Sequence, residues 1–508
     1  MKKEFLLRMM RAAFICLLSV CLMLSCIGCK KTVTYEEYLS VEPETPVSGN
    51  SNTSEENTPT QDNSSDNKNN SSNTGTSSTV NKDDKSVTKG KTFTICAPNL
   101  PTSVDSDSPL FEKVLFDRIE EVEKKYGCKI KVVNSIPVEM NNLVPLLQAG
   151  KDFANVIELD IRKMMPLMTA GYLVPWNEMP NINVNDSKWI SGYTQLAKFY
   201  GKNYGLQFEK PPELRICMIM NKTLLKSSGV DADGIYDLIK NKKWDFATFR
   251  QYAISATKVV NGVTTSYGLG GNPMYISNSL ICSNDGRLVT LEGNTAKATY
   301  TSQKVVQALN FFNQLVNDDK VFMKTAGMSS KSTYNSSMPD YIKQFIDGKI
   351  AFFIEDSWAL NQQIKPRVKN FEYGMVSVPM GPSASEYVSC STHARMFAVP
   401  VTNKDKEFTS IIFNALAESP SGYTGEWYWD DIQADYFQNN DKKSIEIYKN
   451  DLNNMVSDLG YSVTALNDNY LNTVVLGSIF WNSGQTPEAA LKGLEGAYDS
   501  TIASMFNK

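Results

Sequence analysis

Two short stretches place carboxylates beside indoles: Glu355-Asp356-Ser357-Trp358 and Glu426-Trp427-Tyr428-Trp429-Asp430-Asp431. Paired carboxylates can hydrolyse a glycosidic bond by acid–base chemistry, or they can simply accept hydrogen bonds from hydroxyl groups. An indole offers a flat apolar face to a ring. The other chemistry-bearing residues narrow the choice of mechanism. His393 is the only histidine, so a multi-histidine metal site is excluded and any histidine-dependent catalysis rests on that side chain. Cys16, Cys21, Cys26 and Cys29 fall in the first 29 residues. Cys96, Cys128, Cys217, Cys282 and Cys390 are dispersed, with no Cys-x-x-Cys among them, and read as small buried hydrophobes. A Cys96–Cys128 bridge stays open at this point. Neither a Gly-x-Ser-x-Gly nor a phosphate-binding P-loop occurs, and Gly-Leu-Gly-Gly at 268–271 reads as a loop. No metal or cofactor is expected.

The elements that must position these residues begin after a long N-terminal preamble. Lys2, Lys3, Arg8 and Arg11 precede an almost wholly apolar run from Ala12 to Ile27, the pattern of a signal peptide. Residues 48–90 are nearly all Ser, Asn, Thr, Asp, Glu and Lys, with only Val80 and Val87 as large apolar residues. Such a stretch cannot bury enough surface to offset its ordering entropy, and reads as a disordered tether. From residue 92 the pattern turns globular: strand-like TFTICAP (92–98), a helix over 108–127 with Leu110, Phe111, Val114, Leu115, Ile119, Val122 and Tyr126 on one face, then alternating KIKVV (129–133). Strand, helix and strand at these lengths predict a βαβ unit and a parallel sheet, which binds ligands beyond the carboxyl ends of its strands. Further strands are read at 155–159 and 215–220, and helices at 164–171, 302–317 and 487–505. The 508-residue length implies more than one globular unit, and the formal charge of −4 gives no support for nucleic-acid binding. No heptad run argues for an oligomer, so a monomer is expected.

The end of the leader, Leu-Ser-Cys-Ile-Gly-Cys (24–29), resembles a bacterial lipoprotein signal, with Gly28 before the cysteine that would carry the lipid. Cys29 fits that pattern better than Cys26, because Leu24 is bulky two residues before Cys26. The folded part resembles the extracellular solute-binding proteins of sugar-type ABC importers. The resemblance rests on an ordered series: Tyr-Gly-Leu-Gln-Phe (204–208), RICMIMNKTLLKSSGVD (215–231), KKWDF (242–246) with Asp245 as helix cap, NGVTTSYGLGG (261–271), the helix at 302–321, FIDGKIAFFIEDSWALNQ (345–362), FEYGMVSVPMGP (371–382) and GQTPEAALKGL (484–494). Gln207 and Met220 depart from the proline and tyrosine of the family pattern. The resemblance implies a two-lobed α/β Venus-flytrap fold of the type II periplasmic-binding-protein kind, with hinge crossovers. The division it suggests is 1–28 signal peptide, 29–91 lipidated cysteine and tether, 92–203 plus 388–418 one lobe, and 204–387 plus 419–508 the other. A carbohydrate, of oligosaccharide size, would sit between the lobes and pass to a permease on the outer face of the cell membrane. Another solute class, and a surface glycoside hydrolase, are the competing readings.

Loop position and the resemblance together name ligand-side candidates, Arg395 by its place after a crossover strand and Trp427 by its aromatic–carboxylate cluster, which either lines the cleft or packs a helix. Asn99 and Asp160 each follow a strand, with a helix cap as the competing role for Asp160. Phe208 closes the Tyr-Gly-Leu motif, and Glu213 precedes the RICMIM strand. Asn272, Met274 and Tyr275 lie in a loop that stacks on sugar in maltose-binding relatives. Trp358 matches the family's stacking indole, with Glu355 and Asp356 beside it for hydroxyls. Arg395 would meet an acidic group on a ligand, and Trp427 and Tyr470 would add aromatic faces.

Overall fold

The structure, a computed structural model, describes residues 85–98, 100–134, 139–208, 213–293, 295–324, 340–391, 394–423, 428–439 and 441–506. The expected signal peptide, Cys29, the tether up to residue 84, Asn99 and Trp427 therefore lie outside the described residues, as does His393.

Ten strands build two five-stranded sheets. They are β1 (Thr92–Cys96), β2 (Lys129–Val133), β3 (Val156–Asp160), β4 (Leu173–Val174), β5 (Ile216–Asn221), β6 (Lys258–Val260), β7 (Val263–Gly271), β8 (Ile350–Asp356), β9 (Tyr373–Val376) and β10 (Arg395–Pro400). The first sheet has the order β2-β1-β3-β10-β4 and the second β9-β5-β8-β7-β6. Seven helices matter below: α1 (Leu110–Tyr126), α2 (Ile161–Thr169), α3 (Phe246–Ala256), α4 (Pro273–Ser283), α5 (Gln303–Asn313), α6 (Lys406–Leu416) and α7 (Lys442–Asn453).

The expected βαβ unit is present. β1 runs parallel to β2, with Thr92 opposite Lys129 and Cys96 opposite Val133, and α1 joins them. The helix buries Val114, Ile119 and Val122 and ends at Gly127, whose φ of 65° is the left-handed conformation that glycine takes without a Cβ penalty. The sheets are not wholly parallel, however. β10 enters the first sheet antiparallel to β3, and β5 lies antiparallel to both β8 and β9. These strands arrive from the other lobe, so no single helical crossover fixes their direction. The same register removes the Cys96–Cys128 bridge: Cys128 precedes the residue opposite Thr92, which puts the two cysteines at opposite ends of the strand pair, about 15 Å apart by strand rise. None of the five described cysteines is in a disulfide, and all five are buried.

Each sheet has its own aromatic core. In the first, Phe413 of α6 lies between Trp176 and Trp189, with ring centroids 4.3 and 5.6 Å away, and the Trp176 indole donates to Phe397 O at 2.9 Å. Burying a side chain of this size stabilises the lobe by roughly 1.5–3 kcal/mol. In the second, fully buried Trp244 meets Phe249 of α3 and Phe352 of β8 and donates its indole N–H to Ser377 O at 2.9 Å. Leu206 and Phe208 pack in the first core, and Leu206 bridges to Phe397. The chain therefore leaves the first lobe after Phe208 rather than at residue 204. A short parallel pair, Ser389–Cys390 with Met455–Val456, stands apart from both sheets along the return path. No described helix is long and apolar enough to cross a membrane.

Candidate functional site

The carboxyl end of β3 and the amino end of β10 bring Asp160 and Arg395 opposite each other in register. Asp160 caps α2: its Oδ1 accepts the Arg162 N–H at 2.9 Å, and its two oxygens take the Arg162 guanidinium at 2.9 Å each. The capping role and a place at the strand end are thus combined in one carboxylate.

The second lobe presents the matching edge. β8 ends in Glu355 and Asp356, and Asp356 caps a short turn by accepting the Trp358 N–H at 2.8 Å. Trp358 leaves this turn with 49% of its surface exposed, and Trp481 of the same lobe is exposed as well, at 58%. Next to β8, Arg215 precedes β5 and accepts the Ser357 N–H through its carbonyl at 3.0 Å. Its guanidinium Nη2 lies 2.8 Å from Glu213 Oε2. Burial opposes the charge of Arg215, but the fields of Glu213, Asp356, Tyr193 and Asp160 outweigh it and hold the pKa above its ordinary value. Arg215 is therefore the cation that faces carboxylates from both lobes. Tyr193 donates to Glu213 O at 2.8 Å, and Tyr436 is held near Glu213, Asn361 and Ser357.

Asn272 and Met274 occupy the end of β7 and the start of α4. Asn272 accepts the Met274 N–H at 3.0 Å, and Met274 Sδ accepts from Asn467 at 3.5 Å. Gly271 must precede them: its φ is 123°, and a Cβ there would lie 2.1 Å from Ile354 O.

Four candidates are placed differently from the expectation. Tyr470 is fully buried against Tyr461 at 6.1 Å, because the 470–480 segment packs into the core and leaves only Asn472 and Thr473 exposed. Phe208 is stacked on Phe397 at 5.2 Å inside the first lobe. Tyr275, one helical position past Met274, turns into the second lobe and is buried. Glu355 is buried too. Its burial, opposed by the Asp356 N–H and reinforced by the Asp356 charge, pushes its pKa up to about 8. A carboxyl group sequestered this way is a poor acceptor for a ligand hydroxyl.

The structure thus gathers Asp160, Glu213, Asp356, Trp358, Asn272, Met274 and Arg395 at the strand ends of the two sheets. Arg215 is absent from the sequence candidates, as are Tyr193 and Tyr436, which are as buried as Tyr275 and support this edge from behind. A lone arginine directly before the five-residue apolar run Ile216–Met220 was the available signal for the first. Among the described residues no cluster of His, Cys, Asp and Glu could hold a metal ion. The assembled groups suit hydrogen bonding and stacking around a polar ring.

Comparison with known proteins bears on this arrangement. The family model described as bacterial extracellular solute-binding protein matches residues 117–452. Among solved structures, the sugar-binding protein MalE from Xanthomonas citri is similar at a TM-score of 0.58 and 14% identity, over 81% of this chain and 97% of that one. The GacH receptor of Streptomyces glaucescens, solved unliganded and with acarbose, is similar at 0.51 and 17% identity, over 82% and 99%. UgpB from Mycobacterium tuberculosis, in complex with glycerophosphocholine, is similar at 0.53 and 14% identity, over 82% and 98%. These identities speak for the two-lobed fold. Comparison with curated proteins finds no match.

Proposed function

The chain belongs to the bacterial extracellular solute-binding proteins, and from that premise we propose that it is the lipid-anchored receptor of an ABC importer, capturing a carbohydrate between its lobes and delivering it to a permease. The observation that carries the carbohydrate reading is the half-exposed indole of Trp358, whose backbone N–H is capped by Asp356, at the strand end where the Asp356 charge also acts on the Arg215–Glu213 pair. A sugar ring needs one apolar face covered and its hydroxyls paired with acceptors and donors, and this edge supplies both. Two relatives of the same fold are described as sugar-binding or bound to acarbose, which supports the reading.

The anchor part rests on the Gly28–Cys29 sequence and on the polar tether that follows it. Two acyl chains on one cysteine give stable attachment where a single chain is marginal. Attachment would keep the receptor beside its permease, and closure of the lobes around the ligand would be the delivered signal.

Tryptophan fluorescence of the purified protein, titrated with neutral oligosaccharides, acidic oligosaccharides and glycerophosphocholine, tests the ligand class. A saturable change with a saccharide supports the proposal. Saturation by glycerophosphocholine alone replaces the carbohydrate with a phosphodiester solute.

A further inference from the structure

Two cysteines meet away from the cleft. Cys282 lies in the last turn of α4, and Cys390 in the strand Ser389–Cys390, on which that helix packs. Each is only 1% exposed, and the Cys282 thiol is the largest influence that holds the proton on the Cys390 thiol. The fields of Cys282, Asp458 and Cys390 all act on the buried Arg287 guanidinium. The strand holding Cys390 lies on the path by which the chain leaves β9 for β10, that is, on a crossover between the lobes. It is fixed there by pairing with Met455–Val456 and by the Ser389 hydroxyl donating to Ile216 O at 3.1 Å.

We propose that Cys282 and Cys390 are a disulfide-forming pair that braces the crossover strand against the second lobe. Formation is a two-electron oxidation. A thiolate attacks a disulfide oxidant, either a small disulfide or a thiol–disulfide oxidoreductase, and expels one thiol. The partner thiolate then displaces the second, so that one S–S bond forms while the oxidant is reduced to two thiols and takes up the two protons. The neighbouring Cys282 thiol and burial together keep the Cys390 thiol protonated in the fold, so the exchange runs during folding or through local opening around the short strand. An extracellular protein meets oxidising conditions in which such a bond persists. The other three described cysteines stand apart from this pair: Cys96 and Cys128 belong to the first lobe, and Cys217 donates to Glu355 O at 3.6 Å in β5. A closed bond would tie residues 108 positions apart (390 minus 282), so it would act on the stability of the whole second lobe and on the swing of the crossover.

The test incubates the purified, reduced protein with oxidised glutathione, then alkylates the unfolded chain and maps its peptides. The expected result is a peptide cross-linked through Cys282 and Cys390, 2 hydrogens lighter than the sum of its parts, together with a raised Tm that reductant returns to its starting value. Cys390→Ser removes both effects, and Cys217→Ser leaves both in place. Full alkylation of Cys282 and Cys390 after oxidation, or a cross-link joining either to another cysteine, overturns the proposal. Peptide mapping of the parent protein decides the matter even where a variant fails to fold.

Discussion

The Arg215 guanidinium lies 2.8 Å from the Glu213 carboxylate, on the edge where Asp356 of one lobe and Asp160 of the other both act on it. One cation thus balances carboxylates supplied from two sheets. Replacing it with Gln keeps most of the side chain's length and some hydrogen bonding but removes the charge. Arg215→Gln is expected to weaken ligand binding at least tenfold, about 1.4 kcal/mol, because the carboxylates would then repel each other as the lobes approach. Calorimetric titration checks this, and unchanged affinity would place the ligand elsewhere.

A second expectation concerns pH. Three buried carboxyl groups are raised by desolvation: Glu355 to about 8, Asp451 to about 7 and Asp458 to about 6. Each is protonated in the fold at a pH where the unfolded chain would ionise it. Their stabilising contribution is therefore full below the unfolded value near 4 and is lost as pH rises through 6 to 8. Asp105, Glu121 and Asp233 are shifted the other way, but they are exposed or nearly so and oppose this only weakly. The Tm is expected to fall between pH 5 and 8. Asp451→Asn, which keeps an oxygen for the Ser377 hydroxyl now 2.7 Å away, should flatten that fall. A Tm that rises across this interval contradicts the assignment.

Gly192 marks the closest approach of the 191–196 helix to α7. A Cβ at this position would lie 1.9 Å from Leu452 O, so backbone must move to admit one. Gly192→Ala is expected to cost about 1–3 kcal/mol in chemical denaturation, in line with overpacking at a rigid contact. A neutral outcome would mean that the two helices separate freely.

The lipid anchor is tested on cells. Cys29→Ala is expected to release the protein from the membrane fraction into the medium. Release by Cys26→Ala alone would move the attachment site three residues upstream.

How much was legible without coordinates follows from particular residues. The amphipathic face of 110–126 and the alternation of 129–133 made the βαβ unit plain, because both periodicities are local. Asp245 and Asp160 could be read as caps for the same reason. The direction of β10 was not legible, since it depends on a chain returning from another lobe more than 200 residues later. Tyr470 and Tyr275 show the limit for the site. Their type suits stacking, but whether an aromatic faces the cleft or the core depends on which side of its helix distant chain covers, and neither segment's local pattern carries that signal. Trp358 was singled out by its order among flanking motifs, and what the structure adds is that its indole is half-exposed, whereas Arg215 was passed over because a single charge beside a strand has no pattern of its own.

The most direct measurement compares parent and Trp358→Ala proteins by calorimetric titration with the saccharide that saturates the parent. The indole is half-exposed, so its removal should leave the Tm within a few degrees of the parent while binding weakens at least tenfold, with one site per chain in the parent. A parent that binds no saccharide, or a Trp358→Ala variant that binds as tightly as the parent, would contradict a carbohydrate held against this face.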